Sequence, residues 1–232
     1  MKRILPFVII LLVLGSALGA VWYMKKANTG AATIPATSLT NPGSGAPAAP
    51  ASSPVPGAEP PHVRGSAKAF VTLEEFGDFE CPPCGGLYPV LKQIEGEFGA
   101  DLRVIFREYP LTPNHAHALV AAKAAEAAGL QGKFFEMHDL LYENQAKWKD
   151  MFDVRPEYED YAKRIGIDVE RWKKDQAGEV VDDRIFRDGA RAHSLGVKGT
   201  PSVFLNDVEV PFEQLTLDGL RAAINQALSK KK

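Results

Sequence analysis

The chain has 232 residues and a formal net charge of −2, with 27 Lys and Arg against 29 Asp and Glu. A balance this even excludes the strongly basic surface of a nucleic-acid-binding protein and points to no acidic partner either. Only two cysteines are present, Cys81 and Cys84, so each has only the other to pair with in the chain.

The chain opens Met1-Lys2-Arg3 and is then apolar from Ile4 to Met24, broken only by Pro6, glycines and one serine. That is about the 20 residues needed to cross a bilayer core, with Lys2 and Arg3 as the positive cytoplasmic flank. A cleaved signal peptide is the alternative, since Ala17-Leu18-Gly19 offers small residues for cleavage. The apolar run continues beyond that point through Val21, Trp22 and Tyr23, which favours an uncleaved signal-anchor over residues 1–26. In both cases the remainder is exported, into a compartment where disulfides persist. Residues 27–66 are almost entirely Ala, Pro, Ser, Thr and Gly. Such a segment buries too little apolar surface to offset its ordering entropy. It is expected to be a disordered tether.

Residues 67–232 then read as one domain. "AFVTLEEF" (69–76) has the character of a buried strand, and the segment after Cys84 repeats apolar residues at helical spacing through Leu87, Val90, Leu91, Ile94 and Phe98. "DLRVIFREY" alternates as a second strand. An Ala-rich helix is expected over 115–129, and further helices over 131–144, 156–165, 168–176 and 179–195. "PSVFLN" and "VEV" give two short strands, and residues 216–229 a last helix. Strand–helix–strand, a block of helices, then strand–strand–helix predicts an α/β sheet split by a helical insertion at about 112–195.

The cysteines lie in "DFECPPCGG", between the first strand and the first helix. A disulfide closing so short a loop restricts the unfolded chain by only about 2 kcal/mol in the chain-entropy model, little return for a structural staple. A residue before proline avoids helical geometry, and proline suits the first helical position. Pro83 is thus expected to start the helix, with Cys81 just before it, where free N–H groups and the helix dipole favour a thiolate. A metal site built on both thiolates needs two more ligands, and none of His62, His115, His117, His138 and His193 stands at a recognisable ligand spacing. The histidines are read as surface or packing residues of the helical insertion, and a redox-active dithiol is the better reading of the cysteines.

"VTLEEFGDFECPPC" together with "GTPSVFLN" resembles the DsbA-like branch of the thioredoxin superfamily, a group of membrane-anchored or secreted thiol–disulfide oxidoreductases. The resemblance runs from about Ala67 to the C-terminus and implies a thioredoxin fold with an inserted helical domain. It places the nucleophile on Cys81, the buried partner on Cys84, the facing cis-proline on Pro201 after Thr200, and a buried acid on Glu75. Pro89 falls where the superfamily kinks its active-site helix. Glu75 in an apolar strand is expected to have a raised pKa and to move a proton to or from Cys84. A register shift of one would give that role to Glu74. The backbone of Thr200 is expected to pair with an extended substrate segment.

Pro82 and Pro83 stand between the cysteines, where strongly oxidising members often carry a polar or imidazole residue. Two N–H donors are lost there, so thiolate stabilisation is expected to be weaker and the potential intermediate. No cofactor is expected beyond the Cys81–Cys84 disulfide. The implied partners are cysteine-containing exported proteins and a quinone-linked membrane oxidant, with a monomer as the default state. A thiol reductase, for instance for cytochrome maturation, is the alternative within enzymes. A copper-binding or metal-delivery protein is the alternative of another class.

Overall fold

The computed structural model describes residues 55–230. The expected membrane segment, and the tether before Val55, lie outside the described residues. Among those described, no helix is long and apolar enough to cross a membrane.

Five strands make one sheet in the order β1-β3-β2-β4-β5. They are β1 (His62–Gly65), β2 (Val71–Gly77), β3 (Leu102–Glu108), β4 (Ser202–Leu205) and β5 (Val208–Val210). The central pair, β2 and β3, runs parallel and is therefore joined by a crossover helix, α1 (Pro82–Phe98). On the other side of β2, β4 returns antiparallel with Val203 opposite Glu75. Strand periodicity sends Leu73 and Glu75 to one face of β2 and Glu74 and Phe76 to the other. Leu73 joins an apolar layer with Leu87, Leu91 and Ile94 of α1 and with Leu220 and Ile224 of the last helix, α8 (Leu217–Ser229). Phe76 packs edge-to-face on Phe204 at 5.8 Å between ring centres, beside Ala192.

Between β3 and β4 stand α2 (Ala118–Gly129), α3 (Phe134–Glu143), α4 (Gln145–Trp148), α5 (Arg155–Arg164), α6 (Val169–Gln176) and α7 (Glu179–Leu195). Ala192 belongs to α7, which therefore covers the second face of the sheet. Helix α2 buries alanines around most of its circumference, among them Ala121, Ala122, Ala124, Ala125, Ala127 and Ala128. Side chains this small let neighbours approach the helix backbone, and Trp172 donates its indole N–H to the Ala124 carbonyl at 2.9 Å. This helix begins at Ala118, not at residue 115 as expected. The side chain of Asp78 holds the Leu111 N–H and the His115 ring, which keeps that stretch irregular.

The expected end of the tether at residue 66 is also corrected. Residues 55–66 belong to the folded domain: β1 pairs antiparallel with β3, and Ala58 is fully buried. Composition misled here because β1 is a four-residue edge strand whose alternate side chains face solvent, and its order comes from partners distant in sequence. Ala58 donates its N–H to Asp188 Oδ1 at 2.7 Å, and its carbonyl accepts from Arg107 Nη1 at 2.7 Å. Asp188 also pairs with Arg107 at 3.0 Å and accepts the Glu108 N–H at 3.1 Å. A Cβ on Gly57 would come within 2.5 Å of the Arg107 guanidinium, so glycine lets the strap lie this close. Asp188→Ala removes the acceptor of two backbone donors and one partner of a buried guanidinium. It should cost about 3–5 kcal/mol, read as a fall in the denaturation midpoint, whereas a change within about 0.5 kcal/mol would mark the strap as incidental.

Candidate active site

Cys81 is the N-cap of α1, with extended backbone angles (φ −66°, ψ 120°), and the helix starts at Pro82, one residue earlier than expected. Pro82 and Pro83 occupy positions whose N–H groups would have no intrahelical partner, which is why the helix tolerates both. Cys84 therefore sits in the first turn, facing back toward Cys81. Pro89 inside the helix leaves the Gly85 carbonyl without its usual donor.

The Cys81 thiol donates to the Thr200 carbonyl at 3.3 Å, and the Thr200–Pro201 peptide is cis. The loop before β4 thus lies against the sulfur, as the resemblance implied. Its closeness also corrects one expectation. The resemblance gave Cys84 alone as the buried thiol, but Cys81 is buried as well: it retains 4% of its surface, against none for Cys84. What separates the two is electrostatic. Cys81 is pushed down from the ordinary thiol range chiefly by the hydrogen bond from Cys84, then by the Thr200 side chain and the Cys84 N–H, which together outweigh burial. Cys84 is pushed well above that range by burial, by its bond to Cys81 and by the charge of Glu75.

Glu75 is buried on the same face and acts on Cys84, which settles the register between the two glutamates. One of its carboxyl oxygens has no hydrogen-bond partner. Burial, then the charges of Glu95 and Cys81, push it up to about 8. Glu74 points the opposite way, into Arg107 and a two-point contact with Arg191 at 2.6 and 2.7 Å. Burial alone would raise Glu74, but the two guanidinium groups hold it below the usual carboxylate range.

The helical insertion reaches the centre through residues that sequence reasoning missed. Gln145, at the start of α4, donates its amide N–H groups to the Phe79 and Cys81 carbonyls at 2.7 and 2.9 Å. Gly85 lies under that amide, where any Cβ would collide with the Gln145 oxygen. His117 donates its backbone N–H to Glu80 at 2.6 Å, and its ring meets the Met151 carbonyl at 2.8 Å. His115 meets Asp78 at 2.7 Å. The histidines were expected to be surface or packing residues, but at these two positions they hold polar groups instead. The packing role holds for His138, which sits among Phe79, Phe106 and Tyr142 and is pushed down to about 4, chiefly by burial.

The family model that matches the chain is described as thioredoxin and spans residues 58–226. The chain belongs to the thioredoxin family. A thioredoxin-like oxidoreductase from Silicibacter pomeroyi DSS-3 is 28% identical and superposes with a TM-score of 0.61, covering 73% of this chain and 92% of that one. BdbD from Bacillus subtilis, at 24% identity and TM-score 0.65 over 73% and 93% of the two chains, shares the fold. So does the thiol–disulfide exchange protein alpha-DsbA2 from Wolbachia pipientis, at 24% identity and TM-score 0.60 over 72% and 86%. Among curated proteins, the Na(+)/H(+) antiporter NhaA 1 of Salinispora arenicola is 39% identical over 169 residues, 72% of this chain and 25% of the antiporter. The chain thus spans about a quarter of the length of the curated relatives it matches.

Reduced protein should be alkylated much faster at Cys81 than at Cys84 near neutral pH, because only the thiolate is nucleophilic. Mass mapping of the labelled peptides reads the ratio. Preferential modification of Cys84 would reverse the division of labour.

Proposed function

We propose that the protein forms disulfides in exported, cysteine-containing proteins through its Cys81–Cys84 pair, as a monomer held at the membrane by residues 4–24. A substrate thiolate attacks Cys81 of the enzyme disulfide, the bond to Cys84 breaks, and Cys84 leaves with the electron pair and takes a proton. A second substrate thiolate then attacks the substrate sulfur of the mixed disulfide, and Cys81 departs as a thiolate. Two electrons have passed from substrate to enzyme. A quinone-linked membrane oxidant then accepts them.

The observation that carries this reading is the placement of the two thiols at the start of α1, Cys81 at the N-cap against Thr200 and Cys84 fully buried with Glu75, surroundings that lower the first thiol and raise the second. A thiolate favoured on Cys81 makes it a good leaving group and stabilises the reduced enzyme, the requirement for an oxidant. Beside it, Pro83, Leu87, Pro201, Phe212 and Leu215 line an apolar groove, with Phe212 largely exposed, suited to an unfolded substrate segment. Thr200, whose carbonyl receives the Cys81 thiol, lies where such a segment would pass. For the copper-delivery alternative, no group of three or more His, Cys, Asp and Glu suited to a metal converges among the described residues.

Equilibration with glutathione tests the direction. The potential is expected nearer to about −180 mV than to the −270 mV or so of a reducing thioredoxin. A value near the latter would overturn the oxidase reading in favour of a reductase, and a stoichiometric copper complex of the reduced protein would favour metal delivery.

A further inference from the structure

The segment 109–117, between β3 and α2, carries a histidine against a fully buried carboxylate three residues before Cys81. His115 Nδ1 lies 2.7 Å from Asp78 Oδ2, and the Asp78 side chain has no exposed surface. That carboxylate is further held by the Glu80 N–H at 2.8 Å and the Leu111 N–H at 2.9 Å, while the Asp78 carbonyl accepts the Cys81 N–H at 3.1 Å. Asp78 is thus fixed three residues before the nucleophile, where its negative charge opposes a thiolate. Pro82 and Pro83 offer nothing in compensation, having neither N–H nor charge.

We propose that His115 is a positioning residue of the dithiol centre: its imidazolium, bound to Asp78, offsets that carboxylate and favours the thiolate on Cys81. The insertion thereby supplies the positive charge that the residues between the cysteines lack. The inference rests on reading Cys81 and Cys84 as an exchanging dithiol.

The groups acting on His115 all lie on the segment that leads into α1. Partial burial works against its charge, but the hydrogen bond and carboxylate of Asp78 outweigh it, and the charges of Cys81 and Glu80 add to them, so His115 is raised from its ordinary value. On its own segment, the His117 ring is engaged by the Met151 carbonyl. The coupling is reciprocal. If the Cys81 thiolate raises His115, closing the disulfide removes that charge, and His115 must titrate at lower pH in the oxidised protein.

The test uses His115→Gln, which keeps an amide donor for Asp78 and removes the charge. The pH dependence of Cys81 alkylation should shift upward by about one unit. The equilibrium with glutathione should move about tenfold toward the disulfide, a fall of about 30 mV. In an Asp78→Asn background, His115 loses the partner that keeps it charged, and the same substitution should then change little. Proton NMR of the imidazoles should show the His115 midpoint falling on oxidation of the wild-type protein. A variant that merely unfolds more easily, with unchanged Cys81 titration and unchanged glutathione equilibrium, would overturn the proposal and leave His115 a packing residue. A wild-type protein that does not equilibrate with glutathione would instead refute the dithiol reading. The alkylation titration would still report whether His115 acts on Cys81.

Discussion

Cys84→Ser should turn the protein from a catalyst into a trap. Cys81 stays at the N-cap of α1 with the Thr200 carbonyl beside it, since serine replaces the buried thiol at nearly the same volume. It can still form a mixed disulfide by exchange with oxidised glutathione or with a substrate disulfide, whose second sulfur leaves as a thiolate. What disappears is the attack of Cys84 on Cys81 that expels the bound thiol and closes the enzyme disulfide, leaving only attack by an external thiol. An oriented intramolecular nucleophile acts at an effective concentration of up to about 10⁵ M or more. Even a poorly exploited fraction of that, about 1 M, exceeds 1 mM external thiol by roughly a thousandfold. The mixed disulfide should thus survive at least that much longer, and should be visible as a covalent adduct by non-reducing mass spectrometry. Cys81→Ser should form no adduct at all. Adducts on Cys84 in the Cys81→Ser protein, or rapid release from Cys84→Ser, would put the nucleophile on the wrong thiol.

The asymmetry behind that prediction has a simple origin. Both cysteines are buried, so exposure does not select the nucleophile. Cys81 is the N-cap, and the first backbone donor left after two prolines is the Cys84 N–H, which points at it. Cys84 has the opposite surroundings, an apolar turn with Glu75 beneath it. The two thiols differ in which charge state their surroundings accept, and disulfide exchange needs that difference.

The centre was legible in the sequence wherever its parts are local. Cys81 and Cys84 sit at a strand-to-helix junction marked by two prolines, and Thr200–Pro201 precedes an obvious apolar strand. Alternation separated Glu74 from Glu75 without saying which faces the thiols, because β2 is buried on both faces, and it is the arginines gathered on Glu74 that tell the two sides apart. Residues that act from a distance left no such trace. Gln145 and His115 lie 64 and 37 positions away from the backbone groups and carboxylate they hold, and neither belongs to a periodic pattern. The histidines of "NHAHAL" looked like the polar start of a helix. Their partners, Asp78 and Glu80, flank Phe79 just before the cysteine, and two carboxylates within three residues of a nucleophile that works as an anion were a signal to look for a compensating charge. The strap at residues 55–61 was missed for a similar reason. Its order comes from Asp188 and Arg107, not from its own composition.

Glu75 should make the protein's stability fall as pH rises from about 4.5 to about 8, and Glu75→Gln should abolish that fall. Burial, with the charges of Glu95 and Cys81, raises the carboxyl to about 8 in the folded chain, whereas the unfolded chain releases the proton near 4.3. Between those values the folded state binds more protons than the unfolded one, so stability decreases with increasing pH. At about 1.4 kcal/mol per unit, the full window is worth up to roughly 5 kcal/mol. Below it, wild type and Glu75→Gln should be equally stable. Above pH 8 the glutamine variant should be more stable by several kcal/mol, and by less in the oxidised protein, where no Cys81 thiolate contributes. Catalysis should move the other way. Expulsion of a bound thiol by Cys84 requires Cys84 to lose a proton that burial holds tightly, and Glu75, buried beside it, is expected to take that proton. Removing a positioned base costs about a hundredfold or more in such a step, so the glutamine variant should accumulate the same adduct as Cys84→Ser, only more transiently. Parallel stability curves for the two proteins across this pH range would show that Glu75 does not hold its proton in the fold. Unchanged resolution rates would show that Cys84 delivers its proton elsewhere.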